Sequence, residues 1–239
     1  MTPRISVIIP HYFAVRAPNL LRIAADLRKS SVVPHEVLLW NNESPKSLPD
    51  LSQSGMTVIQ ADHNHGCQAR LLAAKQATGD YLFFTDNDTT VEKYTLASLV
   101  AQAEKFPGAI VTLEGRACRP APESYVRWPK FRGHSLYAPQ RVAMSLGRGE
   151  LVPMPIAQRM LARFPFGPPD LMDDLWWSAC AAWEGVEIYV VPSVRGVSSL
   201  VNLPEYRDGA CWAKNYDAAR NAALAAIRAR EPRIWTDAV

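Results

Sequence analysis

Two periods alternate along the first half of the chain. Short apolar, β-rich runs at Ile5 to Pro10, Glu36 to Trp40, Met56 to Gln60 and Tyr81 to Phe84 read as buried strands. Between the first two, Leu20, Leu21, Ile23, Ala24 and Leu27 recur at helical spacing over Asn19 to Lys29, and Pro34 closes that helix. After Gly66 a second helix carries Leu71, Leu72, Ala74 and Lys75 and is ended by Thr78-Gly79-Asp80. Strand and helix in alternation predict an α/β fold, Rossmann-like, with a mostly parallel central sheet flanked by helices. Each strand of this half delivers a polar cluster at its C-terminal end, the edge where ligands bind in open α/β sheets.

The second half is less regular. Arg116 to Gly149 is rich in arginine, proline and glycine and poor in long apolar runs, and reads as a long, flexible functional loop or flap. Its cations include Arg116, Arg119, Arg127, Lys130 and Arg132, with His134 beside them, a composition suited either to closing over a phosphate or to a solvated loop. Met154 to Phe164 and Met172 to Glu184 have helical patterns, Val186 to Val191 is a strand, and Ala213 to Arg230 is an alanine-rich terminal helix. No internal repeat is present, so the 239 residues read as one domain with halves at 1–95 and 96–239.

Composition narrows the partners. With 48% hydrophobic residues the chain can bury a substantial core, and a net charge of +3 lacks the basic excess of a protein whose main partner is nucleic acid. No apolar stretch approaches the roughly 20 residues needed to span a bilayer, and the N-terminus has no secretory pattern, so a cytoplasmic location is expected. Arg220, Arg228 and Arg230 on the terminal helix leave peripheral membrane contact open beside an ordinary surface helix. Cys67, Cys118, Cys180 and Cys211 are dispersed and suggest neither zinc nor a disulfide framework.

The densest chemistry is Asp86-Asn87-Asp88 at the exit of the fourth buried strand. Two carboxylates in one turn make a hard, oxygen-only site suited to Mg2+ or Mn2+, which would neutralise charge on a leaving diphosphate; a solvated acidic turn is the alternative. Around it stand Ser6-Val7-Ile8-Ile9-Pro10-His11-Tyr12, Leu38-Leu39-Trp40-Asn41-Asn42-Glu43-Ser44, Asn64-His65-Gly66 with Arg70, and Ala77 to Asp88. In that order the segments resemble the nucleotide-binding half of glycosyltransferase family 2, over roughly the first 95 residues. The resemblance implies a GT-A fold with residues 1–95 as donor half and 96–239 as acceptor half. It implies a metal-dependent, inverting transfer of sugar from a nucleoside-diphosphate sugar to a saccharide, lipid-linked or small-molecule acceptor.

Carried over by position, the resemblance sets Pro10, His11 and Tyr12 at the nucleoside pocket. Asn41 stands where an acid commonly reads the base, followed by Asn42 and Ser44, and Gly66 belongs to a donor-lining loop. Arg70 lies near the base or diphosphate, Asp86 and Asn87 near the ribose or metal, and Asp88 is the direct metal ligand beside Asp86. The turn Asn41-Asn42-Glu43-Ser44 replaces the usual Asp-Asn-Gly-Ser type, and Phe13 stands where Asn is common.

A second constellation, Asp170 to Ser178 followed by Glu184-Gly185-Val186, resembles the family's acidic pair at a helix start. Asp174 is expected to be the base that deprotonates the acceptor and Asp173 its neighbour or an acceptor ligand; first-turn acids also cap helices. Trp176 and Trp177 are adjacent on that helix and cannot both face one pocket. Asp62-His63-Asn64-His65 is not expected to converge on a metal. A sugar-phosphate nucleotidyltransferase would need a glycine-rich loop after the first strand, where His11-Tyr12-Phe13-Ala14-Val15-Arg16 stands instead. A degenerate transferase that binds donor without turnover is the non-enzyme alternative.

Overall fold

The computed structural model describes residues 3–12, 14–43, 45–118, 127–167, 172–203 and 217–235. The first apolar run forms strand β1 (Ile5–His11), and Pro18, placed in the first turn where its missing N–H costs nothing, helps start helix α1 (Ala17–Arg28). α1 buries Leu20, Ile23, Ala24 and Leu27, and burial of each of its large aliphatic side chains contributes about 1.5–3 kcal/mol. Strands β2 (Glu36–Asn41) and β3 (Met56–Gln60), helix α2 (Ala69–Ala74) and strand β4 (Tyr81–Phe84) complete the first half.

After β5 (Thr89–Val91) and α3 (Thr95–Lys105) come β6 (Ile110–Thr112), β7 (Glu114–Arg116), β8 (Lys130–Arg132), β9 (Gln140–Val142), β10 (Met144–Ser145) and β11 (Glu150–Pro153). Helices α4 (Met154–Arg163) and α5 (Asp173–Trp183), strands β12 (Ile188–Val190) and β13 (Leu200–Asn202), and helix α6 (Asp217–Arg230) follow. The main sheet has eight strands in the order β3-β2-β1-β4-β11-β6-β12-β9. All run parallel except β11 and β9, which are antiparallel to their neighbours. β10-β7-β8 and β13-β5 form two small antiparallel sheets.

The core lies on both faces of the main sheet, which is why its strands read as continuous apolar runs rather than alternating ones. Along β1, Ile5, Val7 and Ile9 pack toward α1 and α3, whereas Ile8 packs toward α2, α4 and α5, the period of two expected of a strand. The α/β class and the mostly parallel sheet agree with the hydrophobic pattern.

Two parts differ from it. In the segment expected to be an irregular flap, residues 127–149 hold β8, β9 and β10, and β9 closes one edge of the main sheet against β12. Strands of two or three residues are too short to show a period, and their order comes from tertiary pairing. Helix α3 and strand β6 were not anticipated, although Leu96, Leu99, Val100 and Ala103 mark the buried face of α3. The terminal helix is described from Asp217, and residues 213–216 lie outside the described residues. Among the described residues no helix is long and apolar enough to cross a membrane. On α6, Arg228 donates to Cys118 Sγ at 3.6 Å, and Arg230, itself exposed, lies 4.8 Å from the centre of the Trp176 ring.

Candidate functional site

Because β1, β2, β3, β4, β6 and β12 run the same way, their C-terminal ends share one edge of the sheet. At that edge β4 runs into Thr85 to Asp88, and the turn is pinned from beneath by Asn87. Its amide donates to His11 Nδ1 at 2.9 Å, its side-chain oxygen accepts from Arg16 at 3.3 Å, and its carbonyl accepts from Asn19 at 3.1 Å. Acceptance at Nδ1 sets the neutral Nε2–H tautomer of His11, and burial, then Arg16, pushes its pKa down to about 4. His11 is wholly buried, with Nε2 making no hydrogen bond. His11, with Asn87 as its partner, therefore supports the turn from within the fold, and its buried ring does not border a pocket, a placement that sequence position alone does not reveal.

The two carboxylates of the turn have different surroundings. Asp88 is buried, its Oδ2 paired with Arg16 at 2.8 Å and its Oδ1 accepting from Thr89 Oγ1 at 3.0 Å. Asp86 is partly exposed and pairs through Oδ1 with Arg70 Nη2 at 2.9 Å. The Arg70 Nε lies 2.9 Å from Asp173 Oδ2, so a single guanidinium ties the turn after β4 to the start of α5. Arg70 also donates to the carbonyl of Gly147, whose φ of +69° and missing Cβ make room: a Cβ there would stand 2.7 Å from Nη1. Arg16, Asn19 and Gly147 were not singled out from sequence, because their roles arise from contacts 68 to 77 residues apart.

Asp173 and Asp174 open α5, where Met172 is the N-cap and makes no side-chain cap, and each acid accepts an N–H of the first turn. Asp173 is buried and spends its carboxylate on Arg70. Burial, reinforced by Asp174 and Asp86 and opposed by Arg70, pushes its pKa up to about 6. Asp174 is half-buried, accepts the N–H of Leu175 at 2.9 Å, and is also raised by burial, against the pull of Arg220. Behind them Glu150 is wholly buried and accepts from Ser145 Oγ at 2.5 Å and from Trp177 Nε1 at 2.9 Å. Trp177 stands edge-on to Phe84 and Trp176 lies against Trp183 and Arg230, so both tryptophans belong to the core. Glu150 had no sequence signal beyond a carboxylate in an apolar strand.

Where β2 and β3 end, Pro10 and Tyr12 are half-buried and Asn41 is buried. Asn41 donates to Gln60 at 2.8 Å and accepts the N–H of Glu43 at 3.2 Å. Asn42 accepts from Trp40 Nε1 and from the N–H of His65, both at 3.1 Å, and donates to the carbonyl of Gly66, which has φ +63°. Ser44 lies outside the described residues. The clamp by Asn42 also folds the loop more tightly than expected: Asp62, His63 and His65 bring one ligand atom each within 4.8 Å of one another, with Asp62 and His63 exposed. Convergence of that trio corrects the reading that alternate loop residues stay apart.

A divalent ion at Asp86-Asn87-Asp88 can be tested against this geometry. Asp86, Asp88 and Asp173 face Arg16 and Arg70, and Arg148 also acts on Asp88. The pKa of Asp88 is pushed up to about 6 by burial and then by Asp86, against Arg16 and Arg148. The oxygen-only pair Asp86 and Asp88 has the chemistry that suits Mg2+ or Mn2+; of the two, Asp86 would be the more accessible to an ion, and Arg16 would compete for Asp88.

Comparison with known proteins adds the family. A model described as Glycosyl transferase family 2 matches residues 6–164, more than half of the chain. No curated protein matches in sequence. Among solved structures, S. aureus TarS 1–349 in complex with UDP-GlcNAc superposes with a TM-score of 0.60 at 17% identity, covering 89% of this chain and 61% of that one. GalNAc-T7 with UDP, GalNAc and Mn2+ gives a TM-score of 0.59 at 16% identity, covering 82% of this chain and 45% of that one. The chain thus spans less than two thirds of either. These likenesses show a shared GT-A fold.

Proposed function

The chain belongs to glycosyl transferase family 2, and from that premise we propose that it transfers a sugar from a nucleoside-diphosphate donor to an acceptor hydroxyl with inversion, assisted by a divalent ion. One observation carries the reading: Arg70 joins Asp86 of the turn after β4 to Asp173 at the start of α5, 2.9 Å from each. With residues 1–95 read as the donor half and 96–239 as the acceptor half, this contact supports a displacement in which donor and acceptor meet at a single sheet edge.

On this reading Pro10, Tyr12 and the Asn41 to Gly66 loops border the nucleoside, with Asn41, Asn42 and Gly66 holding the loop shape. Ser44 belongs to the same turn. His11 and Asn87 keep the turn rigid from below. Asp86 and Asp88 would hold Mn2+ or Mg2+, and such an ion, when bound, supplies Lewis-acid stabilisation of the departing diphosphate. Arg70 adds a fixed positive charge beside it.

Asp174 is the base. It keeps a half-exposed carboxylate while Asp173 is committed to Arg70. Burial raises its pKa against the pull of Arg220 and so makes it a stronger base than a solvated aspartate. Such catalysis is typically worth about 10²- to 10⁴-fold. Asp173 orients Arg70 and the first turn of α5.

Calorimetric titration of nucleoside diphosphates into the purified chain, with Mn2+, with Mg2+ and with chelator, tests the donor assignment. Saturable binding of one diphosphate that weakens at least tenfold in chelator is expected. Equal affinity in chelator would remove the ion from the proposal, and no binding of any diphosphate would remove the donor site.

A further inference from the structure

Beyond the acidic cleft, the same sheet edge carries a basic cluster. It is built where β6 and β12 end, across β11 from the turn after β4, and therefore on the acceptor side. Glu114, nearly buried, is its centre: Lys130 Nζ lies 3.1 Å from it, Arg148 Nη2 3.2 Å and Arg132 Nε 3.5 Å. Arg195, on the loop after β12, donates to His134 Nε2 at 2.8 Å. The backbone locks the two segments together, since Ser193 N–H bonds the carbonyl of Gly133 at 3.1 Å and Gly133 N–H bonds that of Leu113 at 2.8 Å. A Cβ on Gly133 would stand 2.4 Å from the Val191 carbonyl, so the approach depends on glycine.

The charges do not balance. Among the described residues, Lys130, Arg132 and Arg148 surround the Glu114 carboxylate, with Arg148 also acting on Asp88; Arg195 stands on the adjoining loop against His134, and Glu92 spends its oxygens on the amides of Gly196 and Ser199. His134 accepts from Arg195 and adds no charge to offset the cations; its pKa is lowered by desolvation, then by Arg195 and Arg132. Lys130 is likewise lowered, by desolvation and by Arg132 and Arg148, against Glu114. Packing like charges this closely is unfavourable for the free chain and is relieved by an anion. Arg132 and Arg195 are exposed, with guanidiniums able to take a phosphate in a bidentate pair, while Arg148 reaches back to Thr89 Oγ1 at 3.2 Å beside Asp88.

We propose that this cluster binds a phosphate group on the acceptor, so that the acceptor substrate is a phosphorylated or phosphodiester-linked molecule held beside the transfer site. The inference rests on the glycosyltransferase reading for its placement of the acceptor and concerns a site that the donor does not occupy. The phosphate has two possible sources, a soluble phosphorylated acceptor or a lipid headgroup, and one experiment separates them.

The full chain and the variant Arg132→Ala/Arg195→Ala are titrated with inorganic phosphate, followed by 31P NMR, in the presence of a saturating nucleoside diphosphate. Both chains are then sedimented with phosphatidylglycerol vesicles and with phosphatidylcholine vesicles. Saturable phosphate binding to the wild-type chain, weakened about tenfold or more in the variant at unchanged diphosphate affinity, is expected. Charge-dependent retention on phosphatidylglycerol that the variant loses assigns the phosphate to a lipid, and phosphate binding without retention assigns it to a soluble acceptor. Overturning results are no saturable phosphate site in the wild type, or a variant that loses diphosphate affinity in step, which would give the cluster to the donor. If the diphosphate itself fails to bind, the glycosyltransferase reading falls, whereas the difference between the two chains in phosphate binding still decides this one.

Discussion

Replacing Arg70 with methionine removes the charge that serves two carboxylates at once. Asp173 is buried and its ion pair is with Arg70, so Arg70→Met strands an anion away from water, a defect that costs about 3–5 kcal/mol when one partner of a buried pair is deleted. Asp86 is partly exposed and loses less. With Arg70 in place Asp173 already titrates at about 6, and without it the value rises further, so protonation offers an escape. The loss is therefore expected to be about 3 kcal/mol at pH 8 and about 1 kcal/mol at pH 5, where Asp173 is neutral in the folded variant. Urea denaturation followed by tryptophan fluorescence reads this directly, as a midpoint lower by about 1 M at pH 8 for a slope near 3 kcal/mol per molar. Arg70→Met/Asp173→Asn should regain most of the loss at pH 8 because the stranded charge is gone. A loss of the same size at both pH values, or a double variant no more stable than Arg70→Met, would refute the reasoning.

His11 predicts acid sensitivity. Its folded pKa of about 4 lies below the ordinary 6.5, so the stability it contributes is present above pH 6.5 and is lost as pH falls toward 4, by up to about 3 kcal/mol. His11→Gln should flatten that part of the pH profile of Tm, and an unchanged profile would show that another group is responsible. Gly147→Ala should displace Arg70, since its Cβ would meet Nη1 at 2.7 Å and φ is +69°; a loss of about 1–3 kcal/mol in urea is expected, and wild-type stability would deny the close approach. Arg16→Gln leaves Asp88 unpaired, lowering Tm in chelator, and millimolar Mn2+ should then raise Tm more than in the wild type. An equal Mn2+ response in both chains would remove Asp88 as a ligand.

Sequence pattern revealed the long, strongly periodic elements. β1, β2, β3 and β4 were placed within a residue because their apolar runs are bounded by turn residues, and Asp86, Asp88, Asp173 and Asp174 were marked by residue type and position. Hidden from it were contacts between distant segments. Arg16 looks like an ordinary loop cation until it meets Asp88, 72 residues on, and His11 looks like a rim residue until Asn87 closes over it. β8, β9 and β10 are too short to carry a period, and the basic cluster around Glu114 forms only when the loops after β6 and β12 are brought together. The Asp62, His63 and His65 convergence likewise depends on a side-chain clamp from Asn42 and not on spacing.

The most direct test measures nucleoside diphosphate release from a panel of nucleotide sugars, each offered with saccharide, lipid-linked and phosphorylated acceptors whose hydroxyl takes the sugar, by the wild-type chain and by Asp174→Asn, with donor affinity measured on the same preparations. Release by the wild type from one donor, stimulated by Mn2+ or Mg2+, is expected, with a fall of about 10²-fold or more in Asp174→Asn at intact donor affinity. Undiminished release by Asp174→Asn would take the base from Asp174, and tight donor binding without release by the wild type would contradict transfer itself.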